Sequence, residues 1–471
     1  MTSKLTPLTL VFTLMFAGQA LYAQDSTKSQ LTDSLSKKNI ASPLDTVKPA
    51  AKPEEKKNSF NISVDMRTRT EVRHGYRVLP TKDTGVAVFT NQRTRLNFDF
   101  KTKNFDFWAS LQDTRVWGQQ DPREGQGVVV PTDSTTYGTY LFEIYAEPHF
   151  NDRWSVRIGR QRIIYDNQRL FAENDWRLPA NSHDAVRLIY NNRINFTTEF
   201  VGAYNQYGEN NLNSNYKPVG FQNYKTLLVH YLNWKIDKNF TLTTINTGDG
   251  YQSSKNNDYK TTNMRYTSGG RLEFASYRWY LTFSGYYQYG KDSAGKKLNA
   301  FYMQPEIKYS GIKNLAIRLG MEYLSGQDTM NTEDNNFVPL YGVAHRFMGN
   351  MDLFATFPTD VNNGGLVNPY LFFMYTSKNK KVTLRMENHL FYSQSNAAFK
   401  GKGDLNKYLG FENDWRINYK PIPIIDIESG FCWASITKSM VAVKKSGDTD
   451  AFPYFFYLSL RFTPTILKFS F

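Results

Sequence analysis

Residues 60–73 read FNISVDMRTRTEVR, and their side chains alternate between two kinds. One set is apolar or weakly polar, and the other carries five charges, at Asp65, Arg67, Arg69, Glu71 and Arg73. A period of two places successive side chains on opposite faces of a β-strand. A soluble sheet rarely sets so many charges on one side against an apolar stripe on the other. The pattern is typical of a strand between hydrocarbon and a wet lumen, and it predicts a transmembrane β-barrel.

The composition agrees with a barrel. The chain has 471 residues, and after residue 23 it lacks the run of about 20 apolar residues that a transmembrane helix needs. The 31 Tyr, 34 Phe and 8 Trp supply the aromatic girdles of a barrel, although a large soluble all-β protein would also be rich in aromatics. Cys432 is the only cysteine, so neither an intramolecular disulfide nor a cysteine-based metal site is expected.

The chain begins with two segments outside the predicted barrel. Residues 1–23 have a lysine, a short apolar core and a final alanine, which predicts a secretory signal peptide. Residues 24–59 are rich in Ser, Thr, Lys, Asp and Pro, and such a segment buries too little surface to fold. We interpret 24–59 as a disordered periplasmic linker and residues 60–471 as the barrel.

Turns and loops alternate along the rest of the chain and give the strand count. Short turns are predicted near residues 103–104, 151–152, 191–192, 237–239, 276, 311–313, 378–380 and 421–423. Longer connections are predicted near 74–88, 118–139, 165–183, 208–222, 249–261, 290–298, 326–366, 395–405 and 439–452. Together they delimit 18 antiparallel strands, an even number that is typical of bacterial outer-membrane barrels. The alternation is weakest in 223–236 and 367–377, which are apolar on both faces.

The last strand carries a further signal. From Tyr454 to Phe462 every second residue is aromatic or leucine, the residues between them become polar from Ser459 onward, and the chain ends on Phe471. A terminal phenylalanine on an amphipathic strand resembles the signal that the outer-membrane assembly machinery reads. We therefore expect that machinery, together with outer-membrane lipid, among the partners of the chain.

The parity of the alternation also assigns a lumen lining. Five arginines are expected on one wall formed by the first two strands, and Arg385 and Arg461 are expected elsewhere on the lining; the five are Arg67, Arg69, Arg73, Arg93 and Arg95. Only Asp65, Glu71 and Asp99 are close enough in sequence to pair with the five. Acidic residues gather on later strands, at Glu387, Glu412, Asp414, Asp426 and Glu428. A basic wall beside an acidic wall would select and orient anions, and the competing interpretation is an ion-pair network that only satisfies a polar interior.

Short sequence motifs between residues 105 and 190 indicate a known family. They read LQDTRVW at 111–117, RIGRQ at 157–161, YDNQRL at 165–170, NDWR at 174–177 and DAVRL at 184–188. A second group reads AHRFMGNMD at 344–352 and GLVN at 365–368. In wording and order, the chain resembles the alginate-export family of outer-membrane porins.

The resemblance implies a monomeric 18-stranded barrel that passes an anionic uronate polymer through an arginine-lined constriction. It adds Arg115, Arg160, Arg169, Arg177 and Arg187 as candidate lumen or loop contacts. Strict alternation points Arg160 towards lipid, because Trp154, Val156 and Ile158 share its parity. A bulge that switches the face, or a position above the hydrocarbon band, would reconcile the two expectations.

Together these patterns predict a passive outer-membrane channel rather than an enzyme. The six histidines form no H-E-x-x-H pair and no serine motif, so no catalytic site, cofactor or metal is expected. The formal charge of +14 suits an anionic solute or anionic lipid, and export makes nucleic acid improbable as a partner. Passage of an acidic exopolysaccharide is the leading hypothesis, followed by uptake of small anions and, third, a non-conducting structural barrel or adhesin.

Overall fold

The computed structural model describes residues 58–117, 138–206, 209, 211, 223–253, 261–327, 332–399 and 405–471. All of these residues belong to one unit, Ile40–Phe471. The predicted signal peptide at 1–23 and all but the last two residues of the predicted linker at 24–59 lie outside the described residues.

Within the described residues, eighteen antiparallel strands follow one another around a single sheet. Their bounds are β1 Ser59–His74, β2 Ala87–Lys101, β3 Phe105–Val116, β4 Gly138–Pro148, β5 Trp154–Gln161, β6 His183–Asn191, β7 Phe196–Tyr204, β8 Thr226–Lys235, β9 Phe240–Gln252, β10 Thr262–Ala275, β11 Trp279–Lys291, β12 Lys297–Ile312, β13 Leu315–Leu324, β14 Leu366–Thr376, β15 Val382–Tyr392, β16 Tyr408–Tyr419, β17 Ile425–Ile436, and β18 in two segments, Tyr454–Phe462 and Thr465–Ser470.

The sheet closes because β1 pairs with both β2 and β18. Ser59 lies opposite Ser470 in the register, and the backbone N–H of Phe471 donates to the carbonyl of Asn58 at 3.1 Å. Pro464 has no N–H and divides β18, but its carbonyl still accepts from Val64 N at 3.0 Å. Closure leaves no open edge, which a barrel in lipid requires. The predicted count of 18 strands is confirmed.

The turns alternate as the sequence predicted. All eight predicted short turns fall between consecutive strands at one end, and the nine longer connections join strands at the other end. In the described part of the chain, the longer connections hold one α-helix, α1 (Lys438–Lys444), whose N-terminal N–H at Met440 donates to Thr437 Oγ1 at 3.2 Å. They also hold two short 3₁₀ turns, Thr359–Val361 and Ala397–Phe399. Among the described residues, no helix is long and apolar enough to cross a membrane.

The two faces of the wall differ as the alternation of β1 predicted. On its inner face Asp65, Arg67, Arg69 and Glu71 are buried. Large apolar side chains on the outer face are exposed, as a lipid-facing belt requires; they include Leu111, Ile144, Ile158, Val186, Phe200, Leu228, Phe283, Leu319, Leu371, Trp415, Ile417, Phe431 and Leu458.

Two long connections enter the lumen and pack against each other. We call residues 162–182, between β5 and β6, inner loop A, and the described residues of 325–365 (325–327 and 332–365), between β13 and β14, inner loop B. Tyr341 N of loop B donates to Leu170 O of loop A at 2.9 Å, and Ala172 N donates back to Tyr341 O at 3.2 Å. Apolar side chains of both loops form a buried core; they include Ile163, Tyr165, Leu170, Phe171, Phe337, Leu340, Phe347, Met348, Leu353 and Phe354.

This core explains why the segment 223–236 looked apolar on both faces. The inward side chains Leu227 and Val229 of β8 belong to the same buried cluster as the two inner loops. Their lumen face therefore meets protein rather than water. The alternation fades there because both faces of the strand contact apolar surroundings.

Candidate anion-binding site

Strand pairing concentrates positive charge on one wall of the lumen. In the β1–β2 register Arg67 lies directly opposite Arg93, and Asp65 lies opposite Arg95. On the other side of β1, Arg67 lies opposite Arg461 of β18. The side chains of Arg67, Arg93 and Arg95 are at most 7% exposed. Buried like charges need an anionic partner, because uncompensated charge is costly away from water.

That partner is a carboxylate of inner loop A. Asp175 Oδ1 lies 2.9 Å from Arg93 Nη1 and 2.8 Å from Arg95 Nη1. Arg93 Nη2 donates to Asp175 Oδ2 at 3.0 Å, and Arg461 Nη2 lies 3.8 Å from the same oxygen. Arg461 also binds Asp65 through both carboxylate oxygens, at 2.8 and 2.6 Å. One loop carboxylate is therefore surrounded by three guanidinium groups.

The backbone of loop A accepts further hydrogen bonds from the wall. Arg67 Nη1 donates to the carbonyl of Asp175 at 2.6 Å, and Arg69 Nη1 donates to the carbonyl of Trp176 at 2.8 Å. The guanidinium of Arg69 also lies over the ring of Trp176, 3.8 Å from its centroid. The wall thus binds a carboxylate, two carbonyls and an aromatic ring in adjacent positions.

The charge balance at Asp175 follows from this arrangement. Burial alone would raise the pKa of Asp175, but the surrounding guanidiniums, first Arg93 and then Arg95 and Arg67, hold that pKa well below its usual range. The carboxylate therefore stays ionised at neutral pH. The nearby guanidinium groups stabilise the ionised form of the Asp175 carboxylate.

Inner loop A is linked to inner loop B beside the basic wall. The ring of Trp176 stacks on His345 of loop B, with centroids 3.8 Å apart and planes at 12°. Trp176 Nε1 donates to Tyr76 Oη at 3.2 Å, and Tyr76 in turn donates to Asp352 Oδ2 at 2.5 Å. Asp352 Oδ1 lies 3.0 Å from His345 Nδ1, which completes the link. Three connections of the long-loop end meet at this point.

Loop B docks on the acidic wall through its backbone. The N–H of Asn350 donates to Asp414 Oδ2 at 2.9 Å, and the N–H of Met351 donates to Glu412 Oε1 at 2.8 Å. Gly349 precedes them at φ +82°, and a Cβ at this position would collide with the carboxylate of Glu412. The positive φ and the close approach both require glycine here.

Five of the other predicted arginines lie on the inner face of the wall or in inner loop A. Arg73 pairs with Glu71 at 2.5 Å near the long-loop end, and Arg187 pairs with Glu199 at 2.6 Å on β6, so both bind wall carboxylates. Arg169 of loop A is fully buried and pairs with Glu322 at 2.8 Å, which anchors the loop to β13. The remaining two are Arg177, which is half-buried in loop A, and Arg385 of β15, which lies opposite Arg416 of β16.

Two predicted contacts lie on the outer face instead. Arg115 pairs with Asp113 at 2.7 Å on the side of β3 that carries Leu111. Arg160 pairs with Asp184 at 2.8 Å and lies opposite Ile144. The parity of both strands continues without a face switch, so the expectation that these two arginines line the lumen was wrong. Each arginine forms an ion pair with an aspartate on the same outer face, so neither charge there is unpaired.

Sequence reasoning missed the main anionic partner of the basic wall. Only Asp65, Glu71 and Asp99 were expected near it, yet Asp175 supplies the central carboxylate, and Asp99 pairs with Lys101 instead. Residues 174–177, NDWR, belong to the sequence motifs on which the family resemblance was based. This segment enters the arginine cluster.

The fold is similar to crystal structures of outer-membrane porins. Acinetobacter baumannii OccAB1 superposes with a TM-score of 0.57 at 11% identity, covering 87% of this chain and 97% of that one. Pseudomonas aeruginosa OccK3 (OpdO) gives 0.56 at 11% identity, covering 87% and 96%. Pseudomonas aeruginosa OpdK, crystallised with vanillate, gives 0.54 at 10% identity, covering 87% and 99%. No protein-family model matches the chain, and no curated protein matches it.

The closed barrel, its lipid-facing belt and these neighbours define the class of the protein. It is an 18-stranded antiparallel barrel with the fold of outer-membrane porins, and its place is the bacterial outer membrane. The comparisons show the fold of outer-membrane porins and give no support to the alginate-export family in particular.

Proposed function

We propose that the protein is a passive outer-membrane channel, not an enzyme, that takes up small carboxylate-bearing anions along the basic wall. The observation that carries this proposal is the convergence of Arg93, Arg95 and Arg461 on the single carboxylate of Asp175. Guanidinium groups bind carboxylates with good geometry, and they are arranged here for one carboxylate rather than for a polymer. Outer-membrane assembly through the strand that ends at Phe471, and a monomeric state, belong to the same proposal.

In this proposal Asp175 occupies the place of a substrate. An incoming carboxylate replaces the side chain of Asp175 at Arg93 and Arg95, and inner loop A then leaves the wall. The adjacent position over Arg69, which Trp176 fills, suits an aromatic or other flat group next to that carboxylate. Vanillate, the molecule named with OpdK, is an aromatic carboxylate and makes a suitable first probe.

Export of an acidic exopolysaccharide, the alternative to uptake of small anions, is less well supported. A polymer needs a wide path, and inner loops A and B pack on each other through the Trp176–His345 stack and the Tyr341–Leu170 backbone bond. Both loops would have to leave the lumen together. A small anion needs only the displacement of loop A at Asp175.

Planar-bilayer recording of the purified full-length chain tests the proposal. We expect anion-selective channels whose chloride current is reduced by millimolar vanillate or benzoate, with a weaker effect from benzyl alcohol, which lacks the charge. Oligomeric glucuronate that blocks more strongly than monomeric glucuronate would favour the polymer instead. An absence of channels, or selectivity for cations, would overturn the proposal.

A further inference from the structure

Four ionisable side chains form a block on the acidic wall, away from Asp175. In the β15–β16 register Glu387 lies directly opposite Asp414, and His389 lies opposite Glu412. One ligand atom each from Glu387, His389 and Asp414 lie within 4.8 Å of one another. All four side chains are buried. Because residues two apart on a strand share a face, this grouping is fixed by the barrel wall itself.

Two carboxylates of this block, Asp414 and Glu412, each use one oxygen as an acceptor for the backbone of inner loop B. Asp414 Oδ2 accepts from Asn350 N, and Glu412 Oε1 accepts from Met351 N. Asp414 Oδ1 and Glu412 Oε2 are buried and accept no hydrogen bond from an amide or a basic side chain among the described residues. The side chains within reach of Asp414 are the carboxyl group of Glu412 and the thiol of Cys432. Both residues are 0% exposed. Buried carboxylate oxygens without such a donor are costly and point to a missing ligand.

The orientation of His389 leaves its outer nitrogen available as a ligand. Asn368 Nδ2 donates to the backbone carbonyl of Phe347 at 2.8 Å, so Asn368 Oδ1 faces His389 Nδ1 at 3.1 Å. An amide oxygen only accepts, and Nδ1 must therefore carry the proton. The lone pair is then on Nε2. Histidines that bind metals are held by a second bond from the opposite ring nitrogen in the same way.

The charge of the block also lacks compensation. Arg416 Nη2 binds Glu387 at 2.7 Å and neutralises that residue. Within the described residues, neither Glu412 nor Asp414 forms an ion pair with Lys, Arg or His. A divalent cation would balance these two carboxylates, and a proton shared between them is the rival solution.

We propose that Glu387, His389 and Asp414 bind one divalent first-row transition metal ion, with Glu412 as a further oxygen ligand. An imidazole among carboxylates suits Zn²⁺ or Mn²⁺ better than Ca²⁺ or Mg²⁺, which prefer oxygen ligands alone. The ion would hold Asp414 and Glu412 while their other oxygens hold Asn350 and Met351. It would thereby fix inner loop B to the wall.

Metal stoichiometry of the folded, full-length protein in detergent tests this proposal. The protein is stripped with a chelator, dialysed against Zn²⁺, Mn²⁺ or Ca²⁺, and analysed by elemental mass spectrometry. We expect about one Zn²⁺ or Mn²⁺ per chain and no stoichiometric Ca²⁺. Loss of a ligand in His389→Gln or Asp414→Asn lowers the affinity for Zn²⁺ at least about tenfold. His183→Gln is the matched control, since His183 is a buried lumenal histidine whose Nε2 has no hydrogen-bond partner among the described residues.

The result on the wild-type protein decides even where a variant fails to fold. A wild-type protein that binds less than one tenth of an equivalent of Zn²⁺ and Mn²⁺ overturns the proposal and leaves the shared proton. Co²⁺ loaded at one equivalent should give the visible absorption of a site with nitrogen and oxygen ligands. Binding that is equal in wild type, His389→Gln and Asp414→Asn would place the ion elsewhere and overturn the assignment as well.

Discussion

Arg93 of β2 holds Asp175 of inner loop A through both its carboxylate and its backbone carbonyl, at 3.0 and 3.1 Å, although 82 residues separate them. Arg93 is completely buried, so this contact leaves the guanidinium no access to water. The same pair fixes the position of loop A and satisfies the most enclosed charge of the basic wall. In the proposed function, a substrate carboxylate and the carboxylate of Asp175 therefore compete for one site.

Removal of the Asp175 charge should loosen loop A. Hydrogen bonds to charged groups contribute about 1.5–3 kcal/mol each, so Asp175→Asn shifts the closed-to-open ratio of the loop by at least about tenfold. Single-channel recording should show a higher open probability and stronger block by vanillate at low concentration, because Asp175 no longer competes for Arg93 and Arg95. Asp184→Asn is the control, because Asp184 pairs with Arg160 on the outer face. Equal open probability in wild type and Asp175→Asn would contradict the gating role.

The basic wall itself should determine ion selectivity. Arg67→Ala combined with Arg93→Ala removes two positive charges that face the lumen, so the reversal potential in a salt gradient should shift towards cation selectivity while assembly stays intact. Arg157→Ala with Arg187→Ala removes the same charge from a facing pair on β5 and β6. Because those two arginines pair with Glu147 and Glu199, we expect a smaller shift. Unchanged selectivity in the first double variant would mean that the wall is structural.

The pH dependence of loop closure follows from the lowered pKa of Asp175. A carboxyl group whose pKa is lower in the folded state contributes stability that is present above its ordinary value of 3.8 and is lost as the pH falls towards the lowered value. The difference in unfolding free energy between wild type and Asp175→Asn should therefore be constant from about pH 5 to 8 and shrink below about pH 4. Urea unfolding in detergent at several pH values measures it. A difference that already falls between pH 8 and 6 would contradict the assignment.

The sequence predicted the wall far better than the contents of the lumen. Strand alternation depends on the contrast between lipid and water, which acts on every residue of a strand such as 60–73. It therefore predicted the strand count, the turns and the inward arginines. The position of Asp175 depends instead on how two irregular loops pack on each other, and no periodicity records that.

The two arginines on the outer face, Arg115 and Arg160, also show that strand alternation was the reliable signal. Arg160 shares its parity with Ile158, and Arg115 shares its parity with Leu111, so alternation alone places both outside. The family-like words around them favoured the lumen, and the alternation was the better guide. On a barrel strand, the alternation of polar and apolar residues follows from lipid on one face and the lumen on the other. Where this alternation disagrees with a motif resemblance, the alternation decides which face a residue occupies.

The stack between Trp176 and His345 should couple the two inner loops. Trp176→Ala removes that stack and the contact with Arg69, and aromatic pairs contribute about 0.5–1.5 kcal/mol beyond burial. Amide hydrogen exchange in loop B should accelerate around His345 and Asp352, although the substitution is in loop A. Trp117→Ala, at an exposed position next to β3, is the control. Faster exchange confined to loop A would show that the loops move independently.

A methyl group at Gly349 should detach loop B from the acidic wall. The residue has φ +82°, where a side chain costs about 1–2 kcal/mol, and its Cβ would also displace the Glu412 carboxylate that binds Met351 N. Gly295→Ala is a matched control, because Gly295 has φ +86° but its nearest neighbour would be 3.4 Å away. We expect Gly349→Ala to increase protease cleavage within 325–365 severalfold more than Gly295→Ala increases cleavage anywhere in the barrel. Similar cleavage in both variants would assign the effect to backbone strain alone and not to the contact with Glu412.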